Sequence, residues 1–320
     1  MNAVLPRNPY PIIAGPTASG KTALAIALAK ALNGEVVSAD SMQIYDTVSV
    51  GTARPTAQEM DGVPHHLMGF VPLEEKYSVA RYQEDADCVF QDVIGRGKTP
   101  VMCGGTGLYI QSFMENRQLF EEQPDPELRK AYLELADREG NQVLLDRLQQ
   151  VDPESAKRLH VNDLHRIIRA LEVYDTTGMT ITEQTRLSHS KPSPYTPCLF
   201  VLDFHDREKL YERINRRVDV MLENGLLDEA KKVLETNPDA TVTQAIGYKE
   251  FGAYFNGEIS LQEAADGLRQ QTRRYAKRQL SWFRRMNAHT VWMDDFDSYE
   301  QVSTYILEQY SAFLKGGDCV

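Results

Sequence analysis

The chain has 320 residues, of which 42% are hydrophobic and 25% charged, and its formal net charge is −11. That length admits one large α/β domain with an insertion, or two modest domains, while the acidic balance excludes a surface that coats nucleic acid throughout. No apolar run approaches the roughly 20 residues that span a bilayer, and no basic segment leads into a signal-length apolar stretch, so a cytoplasmic protein with no membrane association is expected.

The first strand-like run is Pro11–Ala14, and a helical pattern follows from Ala23 to Leu32. Between them lies GPTASGKT, that is Gly15, Pro16, Thr17, Ala18, Ser19, Gly20, Lys21 and Thr22. It fits Gly-x-x-x-x-Gly-Lys-Thr, a loop whose backbone N–H groups cradle phosphate while the lysine reaches the terminal oxygens and the hydroxyl meets Mg²⁺. A nucleoside triphosphate and any other diphosphate ester present the same oxygens, so the loop alone does not name its ligand.

The second run, Glu35–Ala39, closes on Asp40, Ser41, Met42 and Gln43. In a parallel sheet a carboxylate there emerges at the edge that carries the phosphate loop, which makes Asp40 a candidate general base. A turn or N-cap aspartate is the competing reading. The pair His65 and His66 suggests a metal, but no third ligand stands nearby, and that reading is rejected. The third run, Pro100–Cys103, ends in CGGTGLYI, where Thr106 would face the same edge and the glycines would let the backbone approach a ligand. A plain tight turn explains those glycines equally well.

Next comes a helical stretch, with Asp125, Asp152 and Asn162 as N-caps and Gly140 and Gly178 as stops. Three prolines lead from it back to a fourth strand-like run, Cys198–Phe204. Strands separated by helices predict an α/β fold with a parallel sheet. The catalytic core is expected at residues 1–118 and 196–320, and an all-helical insertion at 119–195. In HDREKLYERINRRVDVMLENGL, Arg217 falls about 20° from the centre of the apolar face, whereas Arg216 points away. A buried arginine needs an anionic partner, either a bound diphosphate or an internal carboxylate. Asp203 is a weak candidate for a Mg²⁺-binding acid.

From Gly267 to Met293 there is no acid, while Arg269, Arg273, Arg274, Lys277, Arg278, Arg284 and Arg285 form a stripe beside Trp282 and Phe283. The stripe fits an RNA backbone, against the plainer reading of a solvated helix face. The four cysteines, Cys88, Cys103, Cys198 and Cys319, form no Cys-x-x-Cys pair and are expected to be free thiols.

GPTASGKT, DSMQIY, GTARPT with GVPHHL, GGTGLYI, DLHRIIRALEVY, YERINRRVDVMLENGL, AIGYKE and AKRQLSWFRR occur in that order over nearly the whole chain. In this the chain resembles the bacterial tRNA dimethylallyltransferases, also called tRNA isopentenyltransferases. The resemblance implies a P-loop NTPase-like core with a tRNA-binding insertion. It also implies transfer of a dimethylallyl group from dimethylallyl diphosphate to N6 of the adenosine immediately 3′ of the anticodon, in tRNAs reading codons that begin with U. The partners implied are the tRNA anticodon stem-loop and the prenyl donor, with a monomer expected, and Mg²⁺ is the implied cofactor with Thr22 as a ligand.

The same resemblance makes Asp40 the base. Lys21, Thr22, Thr106 and Arg217 would stabilise the departing diphosphate, with Arg129 assisting. Asp40, Ser41, Met42 and Gln43 would meet the flipped adenosine. His165, Arg166, Ile167, Ile168 and Arg169, then Gln244, Gly247 and Lys249, then Lys277, Arg278, Gln279, Trp282 and Arg284 would grip the RNA. The helical pattern itself puts Ile167 and Ile168 in the core. Two other readings stay open, an adenylate isopentenyltransferase and a small-molecule P-loop kinase.

Overall fold

The computed structural model describes residues 7–118, 125–188, 191–236 and 241–317. Cys319 and the first expected insertion residues, 119–124, lie outside these spans. The chain divides into two compact units, Met1–Met114 with Pro194–Val320, and Glu115–Ser193. The divisions thus fall at 114/115 and 193/194, where 118/119 and 195/196 were expected.

The first unit begins with β1 (Pro9–Ala14), α1 (Lys21–Ala31), β2 (Gly34–Ser38), α2 (Ala57–Met60), β3 (His65–His66), α3 (Val79–Gly95), β4 (Thr99–Gly104) and α4 (Gly107–Met114). The second unit comprises α5 (Pro126–Glu139), α6 (Gln142–Val151), α7 (Pro153–Arg158), α8 (Leu164–Thr177) and α9 (Ile181–Ser188). The chain then returns to the first unit with β5 (Thr196–Asp203), α10 (Arg207–Glu223), α11 (Leu226–Thr236), α12 (Gly252–Phe255), α13 (Leu261–Phe283), β6 (His289–Trp292) and α14 (Tyr299–Leu314).

The six strands form one parallel sheet in the order β3-β2-β4-β1-β5-β6. Alternate residues of a strand face opposite sides. Ile13, Val36, Val101, Phe200 and Leu202 therefore meet α1 and α14 through Leu24, Leu28 and Ile306. Ile12, Val37, Met102 and Leu199 meet Phe90 of α3 and Ile110 of α4 on the other side. Burial on both faces is why the inner strands read as unbroken apolar runs. β1 sits between β4 and β5, so the chain leaves it toward opposite edges, and the loop after β1 opens at that switch point. β3 and β6, with two and four residues, are too short to show a periodic pattern and were not expected.

In the second unit Leu144, Leu148, Ile167, Ile168 and Leu171 form a separate core. Asp125 caps α5 by accepting from the N–H groups of Glu127 and Leu128, and Asp152 caps α7 through Ser155. Gly140 and Gly178 end α5 and α8. The N-cap of α8 is Asp163, one residue beyond the expected Asn162. Free thiols are found at Cys88 and Cys103, whereas Cys198 is disulfide-bonded, against expectation.

Candidate active site

The phosphate loop joins β1 to α1. Gly20, at the N-cap, has φ 93°, a left-handed value that glycine adopts freely. Ala18, at φ 63°, holds the same region without that freedom. Neighbouring elements brace it there. Arg213 of α10 donates to the Ala18 carbonyl at 2.8 Å and to the Tyr299 hydroxyl, and a Cβ on Gly20 would collide with the Tyr299 ring. Lys21 donates to the Pro16 carbonyl at 2.7 Å.

The loop opens into a cavity of ≈ 340 Å³. Thr17, Lys21, Thr22, Asp40 and Arg217 form its polar end, and Met42, Met68, Val218, Met221, Ile246 and Leu268 supply apolar wall. Burial pulls Lys21 down to about 8, helped by the neighbouring Arg217 charge and opposed by Asp40. Burial likewise lowers Arg217, with Asp40 again opposing. Arg217 has no carboxylate partner among the described residues; it donates to the Thr52 carbonyl at 3.2 Å. Two cations held together with one acid and no full set of ion pairs make an anion site.

Asp40 closes an Asx turn, with Oδ1 accepting from the N–H groups of Met42 at 2.9 Å and Gln43 at 3.3 Å. Its other oxygen has no protein partner among the described residues and is available to a ligand. Gln43 Nε2 donates to the carbonyls of Thr52 and Ala53, so the Asp40 turn and Arg217 share the Thr52 carbonyl as an anchor. That anchor is fixed by Glu229 of α11. Its carboxylate accepts from the N–H groups of Ser49 at 2.8 Å, Val50 at 2.9 Å and Gly51 at 2.8 Å, and from the Tyr248 hydroxyl at 2.9 Å.

Thr106 is not among the residues lining the cavity; its hydroxyl accepts from the Ser41 N–H at 3.0 Å and so holds the Asp40 turn. The glycines around it sit against other protein groups, and Gly104 also lines the cavity. A Cβ on Gly104 would strike the Ala39 carbonyl, one on Gly105 the Gln279 amide and one on Gly107 the Trp282 ring.

Among the residues expected to hold RNA, Asp40, Ser41, Met42, Gln43, Gln244, Gly247, Lys249, Arg278 and Gln279 line the cavity. Lys277 and Arg284 are exposed. Gln279 is not a surface residue but buried, bonded to Thr17 and Gly105, and Trp282 packs on Gly107. The stripe also has acidic partners. Arg269 pairs with Asp219 and with Asp266, which lies just before the acid-free run, and Arg273 donates to Asn215. Arg284 lies 3.8 Å from Asp203, whose carboxylate is taken by Arg207 and is not free for Mg²⁺.

In the second unit His165 and Arg166 are exposed, but Ile167 and Ile168 are fully buried and cannot touch RNA. Arg129 forms a two-pronged pair with Glu172, at 2.7 and 2.6 Å. His66 pairs with Glu35 at the sheet edge, while His65 bonds the Val63 carbonyl and also lines the cavity.

The profile of the IPP transferase family matches residues 43–286, and that of an isopentenyl transferase family matches residues 10–75. A tRNA dimethylallyltransferase of Thermoanaerobacter sp. (strain X514) is 45% identical, over 95% of this chain and 98% of the relative. One from Bacillus subtilis is 45% identical over 90% and 91%. The crystal structure of a full-length tRNA isopentenylpyrophosphate transferase from Bacillus halodurans is similar with a TM-score of 0.71 and 40% identity, covering 97% of this chain and 99% of that one. A eukaryotic dimethylallyltransferase acting on tRNA gives a TM-score of 0.79 at 29% identity, covering 97% and 80%.

Proposed function

Because this chain belongs to the IPP transferase family, whose members here are tRNA dimethylallyltransferases, we propose that its cavity transfers a dimethylallyl group from dimethylallyl diphosphate to N6 of the adenosine immediately 3′ of the anticodon. The acceptors would be tRNAs reading codons that begin with U. One observation carries the reading: a paired cation end and an unpaired carboxylate oxygen share a cavity with a methionine-lined apolar wall. A diphosphate suits the cations, and a five-carbon chain suits the wall.

In the step proposed, the bond between the allylic carbon and the diphosphate oxygen breaks as the N6–carbon bond forms, and the N6 proton passes to Asp40. Lys21 and Arg217 balance the charge that grows on the leaving diphosphate. Thr106 and Gln43 hold the Asp40 turn in place. Adenine reaches this turn only when taken out of its stack. Lys249, Lys277, Arg278 and Arg284, with His165, Arg166 and Arg169 of the second unit, are proposed to hold the surrounding anticodon stem-loop, and Arg129 to assist catalysis.

Thr22 lines the cavity with a hydroxyl that has no protein partner among the described residues. Such an oxygen donor, together with diphosphate oxygens, fits Mg²⁺, which when bound would neutralise diphosphate charge. A monomer is proposed, and tRNA as acceptor supports a cytoplasmic setting. Among the described residues no helix is long and apolar enough to cross a membrane.

The test offers the purified protein and Mg²⁺ an unmodified anticodon stem-loop, with either dimethylallyl diphosphate or ATP, and weighs the nucleosides after digestion. A five-carbon gain on adenosine with the prenyl donor alone is expected, and AMP should be a poor acceptor. Efficient prenylation of AMP would favour the adenylate enzyme, and phosphate transfer from ATP without prenyl product would refute the reading.

A further inference from the structure

We propose that Gln279 is a positioning residue that locks the phosphate loop to the glycine-rich turn, so that the helix presenting Lys277 and Arg278 also holds the diphosphate cradle in register. The proposal rests on the reading of the cavity as a diphosphate site. Gln279 stands on α13 and is only 6% exposed. Its Oε1 accepts from the Thr17 N–H at 2.9 Å, and its Nε2 donates to the Gly105 carbonyl at 2.9 Å. One planar amide thereby joins two loops that leave adjacent strands, β1 and β4.

The chemistry of this link is particular to glutamine. It needs an acceptor toward Thr17 and a donor toward Gly105, which a carboxamide supplies from the two atoms of one group. Glutamate would set a second acceptor against the Gly105 carbonyl, and leucine would leave both backbone groups unpaired. The approach is also close enough to require glycine at position 105, where a Cβ would collide with Nε2. Three residues on, Trp282 lies against Gly107 in the same way.

The link reaches both halves of the reaction. On one side it fixes Thr17 at the crown of the loop that Arg213 braces through Ala18. On the other it fixes the turn carrying Thr106, whose hydroxyl receives the Ser41 N–H and so sets the Asp40 turn. Lys277 and Arg278, immediately before Gln279, are exposed. A load on those cations is applied to a helix rigidly fastened to the cradle.

The experiment compares the full chain with Gln279→Leu, Gln279→Glu and Gly105→Ala, the last pushing on the same link from the other side. Calorimetry measures binding of inorganic pyrophosphate with Mg²⁺, steady-state kinetics give KM for dimethylallyl diphosphate, and a filter assay gives tRNA affinity without donor. Each variant should weaken pyrophosphate binding and raise the donor KM by about tenfold, with tRNA affinity within about twofold of the parent. The double variant of Gln279→Leu with Gly105→Ala should add little to either single change, because both break one link.

Unchanged pyrophosphate affinity in all variants would overturn the proposal. So would an equal loss of pyrophosphate and tRNA binding with a lowered Tm, the mark of general destabilisation. If the Gln279 variants do not fold, Gly105→Ala carries the test by itself. A parent protein that binds pyrophosphate but prenylates no adenosine would refute the functional reading, while the pyrophosphate comparison would still decide the role of Gln279.

Discussion

Raising the pH should loosen the hold on the diphosphate, and Lys21 is the group responsible. Burial and the Arg217 charge bring its pKa from 10.5 to about 8, with Asp40 holding it from falling further. If only the ammonium form binds, affinity follows the protonated fraction, which drops about tenfold between pH 7 and pH 9 for a group titrating near 8. The effect on folding runs the other way. Between about pH 8 and 10.5 the unfolded chain keeps a proton that the folded chain has lost, so the contribution of Lys21 to stability rises with pH through that window. The assay is pyrophosphate binding by calorimetry from pH 6.5 to about 9.5, for the parent and for Lys21→Arg, which stays charged throughout. Titration of pyrophosphate itself is common to both proteins and cancels in the ratio. The parent should lose affinity relative to Lys21→Arg above pH 8. A ratio that does not change with pH would refute the reasoning, because Lys21 would then titrate outside this range or take no part in binding.

Asp40→Asn keeps the acceptor that closes the Asx turn but cannot take the N6 proton. Turnover should fall by about 10² to 10⁴ with tRNA affinity nearly normal, and single-turnover rates close to the parent's would remove Asp40 from the mechanism. Changing Lys277, Arg278 and Arg284 to Gln should make the slope of log K against log salt shallower by about 0.7–0.9 for each phosphate that is no longer neutralised. Arg269→Gln should leave that slope unchanged, since Arg269 is paired with Asp219 and Asp266; a change as large as that at Lys277 would return it to the RNA surface.

The phosphate loop and the Asp40 turn were legible because their chemistry is local. A loop that wraps an anion needs its glycines and lysine at fixed spacing, and an aspartate closing a turn bonds residues two and three ahead of it. Arg217 was found by helical geometry, since an arginine on an apolar face must meet something polar. What faces it, a carbonyl anchored by Glu229, could not be read, for Glu229 lies about 180 residues from the amides it binds and looks like any acid on an amphipathic helix. For the glycines of CGGTGLYI the sequence leaves room for a ligand and a tight turn equally open, because it does not say which body approaches a missing side chain. Within the stripe on α13, only the pairing of Arg269 escapes the sequence: counting acids within one segment overlooks Asp219, which arrives from α10.

The pairing of β1 with β5 joins Pro9–Ala14 to Thr196–Val201, with the whole second unit encoded between them. On a ribosome adding about 5–20 residues per second, one edge of β1 stays open for roughly 10 to 40 seconds after it emerges. During that interval β1 can be paired only by β4, with β2 joining beyond it, and the five helices of the second unit, which have a core of their own, can form first. Bringing together strands separated by so long a stretch of chain is slow for a parallel sheet. Newly made protein is therefore most exposed to edge-to-edge aggregation before residue 196 is translated, and chain termination within the second unit would yield an aggregating product and not a smaller enzyme.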